Sequence, residues 1–542
     1  MNQTRQFIGY LIMFLAASMM WQSWQKQQEQ ASQIVENKTL PESATKHVGN
    51  IASTTSIEVS PKERLVNVST GLIDVKIDRL GGRIVAADLI DYKEEKGGQK
   101  PVSFIGQDQR SYLTSQFGMT GDTAVLFSSN HDKYAINSSQ NDLKVVLTGT
   151  NSGGIDFVKT YTFYRDKYHF MVEAKVKNSA DHSYNGHPYS QFRQFIQDES
   201  SSDNGWYKRF VSATRFNTFT GVSYYSPQDS YVKLSYKDMD EKQIDKNFVG
   251  GWVAVQKPYF LGAWVPQNNQ AHHLYTDQKL YSEGKVYTAG MLGKQVVVTP
   301  GEEFSTSSLF YSGPEITATL KGVAKGLDQT IDYGWLWMLS NSLFWLLDNI
   351  YKVVQNWGLA VILVTCAIKG AFYKMSEASY ISISKMKKIQ PRLEALKKIH
   401  GDDREKLGAA TRELFLQEKV NPLGGCLPVV IQIPFFIALY YVLIESVQLR
   451  HAPFVLWIQD LSAPDPYFVL PLLMGASMLY QQRLNPKPED PIQEKMMYFF
   501  PVFLTVLFSS FPAGLVLYWV TNNMLSIWQQ THVAKRFGPK SS

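Results

Sequence analysis

Cysteine is nearly missing from this chain of 542 residues, which contains two, Cys366 and Cys426. Both fall in apolar segments, so the polar middle of the chain has no disulfide framework available to it. Two small cysteines in such segments are interpreted as packing residues. The net charge of +6 is modest for this length and does not indicate a nucleic-acid-binding protein.

Motifs for catalysis and metal binding are missing as well. The chain has no Gly-rich phosphate loop, no nucleophile elbow and no HExxH sequence. The histidines of the middle region show no metal-ligand spacing, and we interpret His272 and His273, with nearby Asp277, as part of a solvated loop rather than as ligands. The sequence therefore predicts a protein that is not an enzyme and that needs neither a metal nor another cofactor.

Apolar sequence is concentrated at the two ends of the chain. Residues 7–24 are just long enough to span a membrane and end in Trp21 and Trp24, which suit a membrane interface. A cleaved signal peptide is the alternative, but no clear cleavage site ends the apolar run, so we predict an uncleaved signal anchor over residues 1–24. Arg5 favours a cytoplasmic N-terminus. Residues 25–60 are Gln-, Glu-, Ser- and Thr-rich and are predicted to be a flexible linker.

Residues 61–320 show a hydrophobic pattern with a period of two, broken by Gly, Asn and Asp. The clearest hairpin pairs residues 157–163 with residues 168–176 across a turn at residues 165–167. Aromatic and β-branched residues alternate with polar ones on both arms. This region is predicted to be a large antiparallel β-sandwich with its own core.

Past residue 320 the pattern becomes helical. Residues 333–354 carry an apolar stripe interrupted by Asn, Asp and Lys, together with Trp335, Trp337 and Trp345, and predict an amphipathic helix lying in a membrane interface. Five spans follow, at about residues 357–373, 422–444, 467–481, 496–511 and 515–533. With the signal anchor they predict an α-helical bundle of six transmembrane helices.

The charged segments agree with one orientation of these spans. Residues 374–419 contain 11 basic and seven acidic residues, residues 483–495 contain three basic and three acidic residues, and the tail at 536–542 contains two basic residues and no acidic one. All three fall on the side of the N-terminus, so the positive-inside rule predicts cytoplasmic termini and places the β-domain outside.

The cytoplasmic segment at 377–419 is predicted to be a helical hairpin. Ile389, Leu393, Leu396 and Ile399 keep a helical spacing, Gly401 suits a helix end, and Asp402 or Asp403 suits the next N-cap. Its basic surface is either a solvated face without a partner or a docking surface for something acidic, such as ribosomal RNA or lipid headgroups.

Lys369 lies within the span at 357–373, where a central charge costs roughly 2.5 to 3.5 kcal/mol. It is four residues before Tyr373, so it either snorkels to the headgroups or has a function. Other spans also carry polar residues, which form either interhelical hydrogen bonds or a hydrated cavity around Lys369. No Asp or Glu lies in another span, and an unpaired cation needs water, which favours the cavity.

These features, in this order, resemble the bacterial YidC branch of the YidC/Oxa/Alb family of membrane insertases. The resemblance covers nearly the whole chain and rests above all on residues 250–260, 332–337, 420–443, 452–475 and 511–523. It implies a periplasmic β-supersandwich, a periplasmic interfacial helix, a five-helix insertase core at 355–535 and a cytoplasmic coiled-coil hairpin. It also implies a hydrophilic groove with one positive residue, open to the cytoplasm and the lipid.

The implied function is a bacterial inner-membrane insertase and chaperone that inserts nascent membrane proteins, alone or with the secretion channel. Expected partners are nascent membrane proteins and the lipid bilayer, with the Sec translocon, the ribosome and the signal recognition machinery as further candidates and no small-molecule substrate. The expected groove residues are Thr365, Lys369, Gln432, Tyr518, Trp519, Asn522 and Ser526. The expected slide for the substrate helix is Ile433, Phe435, Phe436 and Phe503. The expected ribosome or targeting contacts are Lys385, Lys387, Lys388, Arg392, Lys397 and Lys398.

The chain departs from the family at two places near the groove. Lys369 stands where the family usually has arginine, so the charge is kept and the planar, bidentate fork is lost. Tyr373-Lys374 stands where the family commonly has Tyr-Pro, so a proline no longer marks the break between span and hairpin. The alternative functions are a secondary transporter or channel, which predicts internal repeats that we do not find, and a structural assembly factor that binds periplasmic polymers.

Overall fold

The computed structural model describes residues 61–537, with gaps at 109–110, 138, 198–217, 268–269, 402, 419, 421–426 and 487–490. The described residues comprise the β-domain and the helices that come after it in the chain. The predicted signal anchor, the linker and most of the predicted C-terminal tail lie outside them.

Two large β-sheets form the middle of the chain, where β-branched and aromatic residues alternate with polar ones. Strands are numbered in chain order. The ten-stranded sheet has the spatial order β15 (Asp245–Val249), β18 (Ala271–Tyr281), β19 (Gly284–Gly293), β12 (Pro188–Gln197), β5 (Ser111–Met119), β4 (Pro101–Asp108), β3 (Arg83–Lys93), β2 (Ile73–Asp78), β1 (Leu65–Ser69) and β7 (Lys133–Ala135). The nine-stranded sheet has the order β14 (Ser230–Ser235), β13 (Gly221–Ser226), β16 (Trp252–Lys257), β17 (Phe260–Pro266), β21 (Glu303–Pro314), β10 (His169–Asn178), β9 (Ile155–Tyr164), β8 (Asp142–Thr150) and β6 (Ser128–Ser129). A separate pair joins β11 (Tyr184–Gly186) to β20 (Val296–Val298).

The two large sheets share one apolar core. The predicted hairpin is confirmed as β9 and β10, which pair antiparallel with Phe163 opposite Phe170. Phe117 of the ten-stranded sheet stacks on Trp264 of the nine-stranded sheet, with ring centroids 5.5 Å apart. The antiparallel sandwich expected from the alternating pattern is therefore present, with one parallel pairing between β1 and β7.

The interpretation of His272 and His273 as a solvated loop was wrong. Both lie in β18, between β15 and β19. The His272 side chain is buried and that of His273 meets Asn247 Oδ1 at 3.1 Å. Pairing on both sides of the strand outweighs the polar character of the two imidazoles.

Ten α-helices are described. They are α1 (Tyr236–Glu241), α2 (Thr317–Val323), α3 (Trp337–Val354), α4 (Trp357–Ala371), α5 (Tyr373–His400), α6 (Arg404–Gln417), α7 (Leu427–Glu445), α8 (Val469–Leu484), α9 (Pro491–Phe508) and α10 (Ala513–Phe537). Five of them, α4 and α7 to α10, overlap the five predicted spans in order. Among the residues described, no single helix is both long and apolar enough to cross a membrane, whereas the bent pair α4 and α5 meets that criterion jointly.

The break between α4 and α5 forms without a proline. Phe372 leaves the helical path at ψ 14°, its N–H donates to both Ile368 O and Gly370 O, and the two helices meet at 69°. The bond to Ile368 O completes the last regular turn of α4, and the non-helical ψ of Phe372 ends the helix there. Lys369 consequently lies in the last turn of α4, directly beside the bend.

The hairpin of α5 and α6 is closed by a small apolar cluster. Ile389 and Leu393 of α5 are buried against Leu414 of α6, and the Asp403 side chain caps α6 by accepting from Lys406 N–H. Ile399, expected in the same stripe, is 73% exposed. It lies one turn from the tip of the hairpin, where α6 has not yet begun.

The β-domain rests on the end of the helical region opposite the hairpin. Arg450, which follows α7, donates to Glu94 O at 3.0 Å, and its guanidinium lies 5.7 Å from the centre of the Phe260 ring. Lys233 of β14 pairs with Asp332, just before α3. These contacts fix the helical region between the sheets and the hairpin.

Candidate functional site

Lys369 is a half-buried cation held by one hydroxyl group. Its Nζ donates to Ser526 Oγ of α10 at 2.8 Å, and that hydroxyl donates to Asn522 O at 2.7 Å. Over the part of the chain that the structure covers, Lys369 forms no ion pair with a carboxylate. An ammonium group has three donors, so this charge keeps capacity for water or for a ligand.

A small cavity lies beside Lys369. Its volume is about 30 Å³, and a water molecule needs roughly 10 to 15 Å³. The lining residues come from α4, α5, α7 and α10 and are Thr365, Ile368, Lys369, Phe372, Met375, Ser376, Ile431, Gln432, Phe435, Tyr518 and Asn522. In this conformation the space suits one or two waters and is far too small for a polypeptide.

Most of the polar residues singled out in the sequence meet here. Thr365, Lys369, Gln432, Tyr518 and Asn522 line the cavity. The Gln432 amide lies 3.5 Å from the Tyr518 hydroxyl, and Ser526 joins the group through its bond to Lys369. Their convergence from three helices places one positive charge among amide and hydroxyl groups, which is the chemistry that attracts and hydrates a polar or acidic chain.

Trp519 lies apart from this cavity. Its ring meets Phe436 edge-on at 4.9 Å and approaches Phe508 at 5.3 Å. Phe436 also packs on Tyr518 at 6.5 Å. These four rings from α7, α9 and α10 form a tight aromatic cluster between the cavity and the helix ends nearest the β-domain.

The four residues expected to guide a substrate helix occupy different surroundings. Ile433 and Phe503 are exposed, at 43% and 41%. Phe435 lines the cavity and meets Phe372 edge-on at 5.5 Å, whereas Phe436 belongs to the aromatic cluster. Ile433 and Phe503 are thus open to the surroundings of α7 and α9, and Phe435 and Phe436 are partly buried.

Sequence reasoning missed the contribution of the hairpin helix. Ser376, Ser379 and Tyr380, in the first turns of α5, are 3 to 4% exposed, and the Tyr380 hydroxyl shares a hydrogen bond with Ser526. The Gln529 amide ties α10 to the start of α5 by donating to Tyr373 O at 2.9 Å. The signal was a run of hydroxyl residues at helical spacing inside a segment that its charges marked as cytoplasmic.

Other polar residues of α10 serve as links between helices. Asn523 donates to Ser477 Oγ, and Gln530 donates to Asn485 Oδ1, both at 2.9 Å. Interhelical hydrogen bonds, one of the two alternatives raised for the polar residues, are therefore present, and hydration of the cavity stays a prediction. One face of α10 meets the cavity at Lys369, and the neighbouring face bonds to α8.

The six basic residues expected to contact a ribosome or targeting factor all lie on α5. Lys385, Lys387, Lys388, Arg392, Lys397 and Lys398 are exposed. Arg392 pairs with Glu418 after α6. Their contact with a partner stays a prediction. Within the described ranges, no group of three or more His, Cys, Asp or Glu side chains is arranged to hold a metal ion.

Two family models match the chain, and their ranges meet within α3. The model described as YidC periplasmic domain matches residues 65–346, and the model described as 60Kd inner membrane protein matches residues 349–540. Together they cover nearly every described residue.

Named relatives match along most of their length. A protein of Coxiella burnetii (strain Dugway 5J108-111) named membrane protein insertase YidC is 45% identical over 502 residues, covering 91% of this chain and 86% of the relative. A protein of the same name from Legionella pneumophila (strain Paris) is 41% identical over 553 residues, covering 98% and 97%.

A solved structure titled as an active YidC insertase with its first transmembrane domain resolved is 17% identical. It covers 92% of this chain and 98% of its own, with a TM-score of 0.39. At that score the likeness adds no argument of its own. The two family models and the curated relatives suffice: the chain belongs to the YidC family of membrane protein insertases.

Proposed function

We propose that this protein inserts nascent membrane proteins into the bacterial inner membrane and assists their folding, without covalent chemistry. The observation that carries the proposal is the position of Lys369, a cation without a described carboxylate partner, inside a cavity lined by amide and hydroxyl groups. A nascent protein would present a polar, often acidic, outer tail to this cavity.

The free-energy gain would come from electrostatics and hydration. Moving an acidic tail into hydrocarbon is costly because its charges lose water. Lys369 and the polar side chains around it would replace part of that hydration part-way into the bilayer, near its cytoplasmic side. The membrane potential would add about 2.3 kcal/mol per charge per 100 mV in the outward direction for an acidic group.

The membrane arrangement belongs to the same proposal. We place the N- and C-termini in the cytoplasm, assign α4 and α7 to α10 as five of six spans, and place the two sheets in the periplasm as a supersandwich. The distribution of basic segments supports this orientation. The tryptophans of the α3 region support an interfacial position for that helix, because Trp335, Trp337 and Trp345 are 57 to 67% exposed.

The cavity has to widen before it can accept a tail, since it now holds one or two waters. Phe372, at the bend between α4 and α5, and Phe435 of α7 touch across it. We assign the opening movement to the separation of these two rings. The substrate's apolar helix would then leave past Ile433 and Phe503.

The recruiting surface is assigned to the hairpin. The exposed basic residues of α5 would meet acidic groups of the ribosome or of targeting factors. In the first turns of the same helix, Ser376 lines the cavity and Tyr380 bonds to Ser526. Docking at the hairpin would therefore change the surroundings of Lys369. We also propose that the protein acts together with the Sec translocon on some substrates.

Depletion of the endogenous insertase with complementation by variants tests the proposal. Lys369→Glu should abolish insertion of a short substrate with an acidic tail, and Lys369→Arg should retain it, because only the charge is needed. The matched control is Lys321→Glu, which reverses an exposed charge on α2 and should insert normally. Normal insertion by Lys369→Glu, expressed at the wild-type level, would show that the electrostatic mechanism is wrong.

A further inference from the structure

The loop from residue 446 to residue 468, between α7 and α8, presents an exposed apolar turn. Leu456 is 72% exposed and Val455 is 49% exposed. Leu456 also has a φ of +54°, in the left-handed region that a branched residue rarely adopts. This position combines two unfavourable features, backbone strain and exposed hydrocarbon, and a glycine would have neither.

The turn is a rigid part of the fold. Phe454 N–H donates to Ile458 O at 2.9 Å, and Ile458 N–H donates to Val455 O at 3.1 Å. Beyond the turn, Ile458 and Leu461 are buried, at 3% and 0% exposure. The surrounding structure therefore holds Leu456 outward and keeps it in the strained conformation.

Acidic side chains inside the loop hold it in this shape. Asp460 accepts hydrogen bonds from the backbone of His451 and of Ser462, at 3.1 and 2.9 Å. Asp465, which is 1% exposed, accepts from Trp457 Nε1 at 3.0 Å. A loop organised to this degree does not expose leucine by chance fluctuation.

The turn lies at the level of the first turn of α4. Asn356, which caps α4, donates from Nδ2 to Phe454 O at 3.1 Å. The Phe454 ring lies directly on Gly358, where an added Cβ atom would come within 2.1 Å of it. The leucine tip is therefore at the depth where α4 begins.

A second strained apolar point lies at the start of α8. Tyr467 is 68% exposed, and Phe468, the residue before the helix, is 46% exposed with a φ of +57°. Tyrosine is typical of the zone between headgroups and hydrocarbon. Two helices thus begin beside exposed, conformationally fixed apolar side chains of the same loop.

We infer that Leu456 and Val455, together with Tyr467 and Phe468, form a fixed contact with lipid of the outer leaflet, at the boundary between headgroups and acyl chains. The inference rests on the proposed placement of α4 as a span that begins at the outer surface. Lipid is the occupant that fits, because the turn lies at the depth of a helix start and offers hydrocarbon without a directed polar group. Burying the Leu456 side chain in acyl chains recovers the hydrophobic free energy that is lost while this side chain is exposed to water.

Fluorescence quenching by labelled lipid tests this contact. In a Cys366→Ser/Cys426→Ser background, a single cysteine at Leu456→Cys is labelled with an environment-sensitive nitrobenzoxadiazole dye. The purified full-length protein is placed in vesicles of phosphatidylethanolamine and phosphatidylglycerol that carry a nitroxide either near the headgroup or near the chain end. Leu280→Cys is the control, because Leu280 is equally exposed, at 71%, and lies beside the β18–β19 turn of the β-domain.

The expected result is loss of most of the fluorescence of the label at residue 456, more with the shallow nitroxide than with the deep one, together with a blue shift in emission. The label at residue 280 should keep its intensity. Because no other protein is present in the vesicles, quenching cannot come from a protein partner.

A third site separates failure of this inference from failure of the membrane placement. Leu363 lies on the exposed side of α4, at 38% exposure, and a label at Leu363→Cys should be quenched wherever α4 crosses lipid. If residue 363 is quenched and residue 456 is quenched no more than residue 280, the inference is wrong and the placement of α4 stands. If residue 363 is not quenched, the placement and the inference fall together.

Discussion

The buried Lys159 and the half-buried Lys369 have opposite surroundings. Lys159 is 1% exposed, and its Nζ meets Asp122 Oδ2 at 2.9 Å while donating to Gly81 O and Phe117 O. All three of its donors have protein partners. Lys369 donates to one hydroxyl, Ser526 Oγ, and faces a cavity. Saturated bonding marks a structural cation, and spare donors beside a cavity mark a cation available for binding.

The first prediction concerns the structural lysine. Lys159→Met should destabilise the β-domain by about 3 to 5 kcal/mol, because it leaves Asp122 buried without its partner. The measurement is denaturant unfolding of the full chain followed by the circular dichroism of the sheets. Lys175→Met is the matched control, since it breaks an exposed pair with Glu303 and should cost about 1 kcal/mol or less. Equal, small effects of both variants would contradict this description of Lys159.

Glu315, at the joint between β-domain and helices, gives a pH dependence. It is 4% exposed and accepts from Gln256 Nε2 at 2.9 Å. Burial, followed by the nearby charge of Glu445, raises the pKa of Glu315 from 4.5 to about 8. The folded protein therefore keeps this proton at neutral pH, whereas the unfolded chain releases it.

At neutral pH the folded state binds a proton at Glu315 that the unfolded state has released, and this difference sets the sign of the pH dependence. Stability contributed by Glu315 should fall as pH rises from about 4.5 to about 8, with a slope of at most about 1.4 kcal/mol per pH unit for one proton. Unfolding free energies of the full chain across this window check it. Glu315→Gln should flatten the slope, and Glu283→Gln, in an exposed turn, should not. If the slope of the unfolding free energy against pH is unchanged in Glu315→Gln, the pH dependence comes from another group.

At the scale of elements, close packing joins α4 to the loop before α8. An added Cβ atom at Gly358 would lie 2.1 Å from Phe454 Cδ2 and 2.4 Å from its Cγ. Gly358→Ala should therefore lower the Tm in detergent, with an overpacking cost of about 1 to 3 kcal/mol. Gly408→Ala on α6 is the control, because nothing lies within 4 Å of its added Cβ and alanine favours a helix. A Tm unchanged by Gly358→Ala would contradict this packing.

Elements with a strong local pattern could be predicted from the sequence. The hairpin of β9 and β10 follows from alternating residues around one turn, and the helices α7 to α10 follow from apolar runs. The position of Ile399 outside the hairpin core could not be predicted, because its spacing fits the stripe and only the start of α6 excludes it. The order of strands within each sheet could not be predicted either, because a pairing such as β5 with β12 joins residues far apart in the chain.

The bend between α4 and α5 shows a limit of reasoning from one residue type. A proline would have marked it, yet it forms at Phe372, whose ψ of 14° leaves the helical path. Its position decides the geometry of the site, because it turns Ser376 and Tyr380 back toward α10.

At the scale of the whole molecule, the cavity could be anticipated in part. Polar residues in apolar spans have to face one another or water, which brought Lys369, Gln432 and Asn522 together correctly. The same rule could not separate Asn522, at the cavity, from Asn523, bonded to Ser477, since the two are neighbours in the chain. The contribution of α5 to the site was not predicted, because its charged residues indicated only a cytoplasmic location.

The order of the parts along the molecule indicates the direction in which an acidic tail would pass. The hairpin lies at one end of the helices and the sheets at the other, and the aromatic cluster of Phe436, Phe508, Tyr518 and Trp519 lies between the cavity and the sheets. An acidic tail would enter from the hairpin side, and the aromatic rings would separate it from the periplasm until it crosses.

Photo-cross-linking of a stalled nascent chain shows whether an acidic tail contacts the polar cavity beside Lys369. A photoreactive phenylalanine derivative is placed at Gln432, in the cavity, or at Met524, which is 49% exposed on α10. We expect that the acidic tail cross-links from residue 432 and not from residue 524, and that Lys369→Glu removes the cross-link. Insertion that proceeds without any cross-link from residue 432, or with an equal one from residue 524, would contradict this expectation.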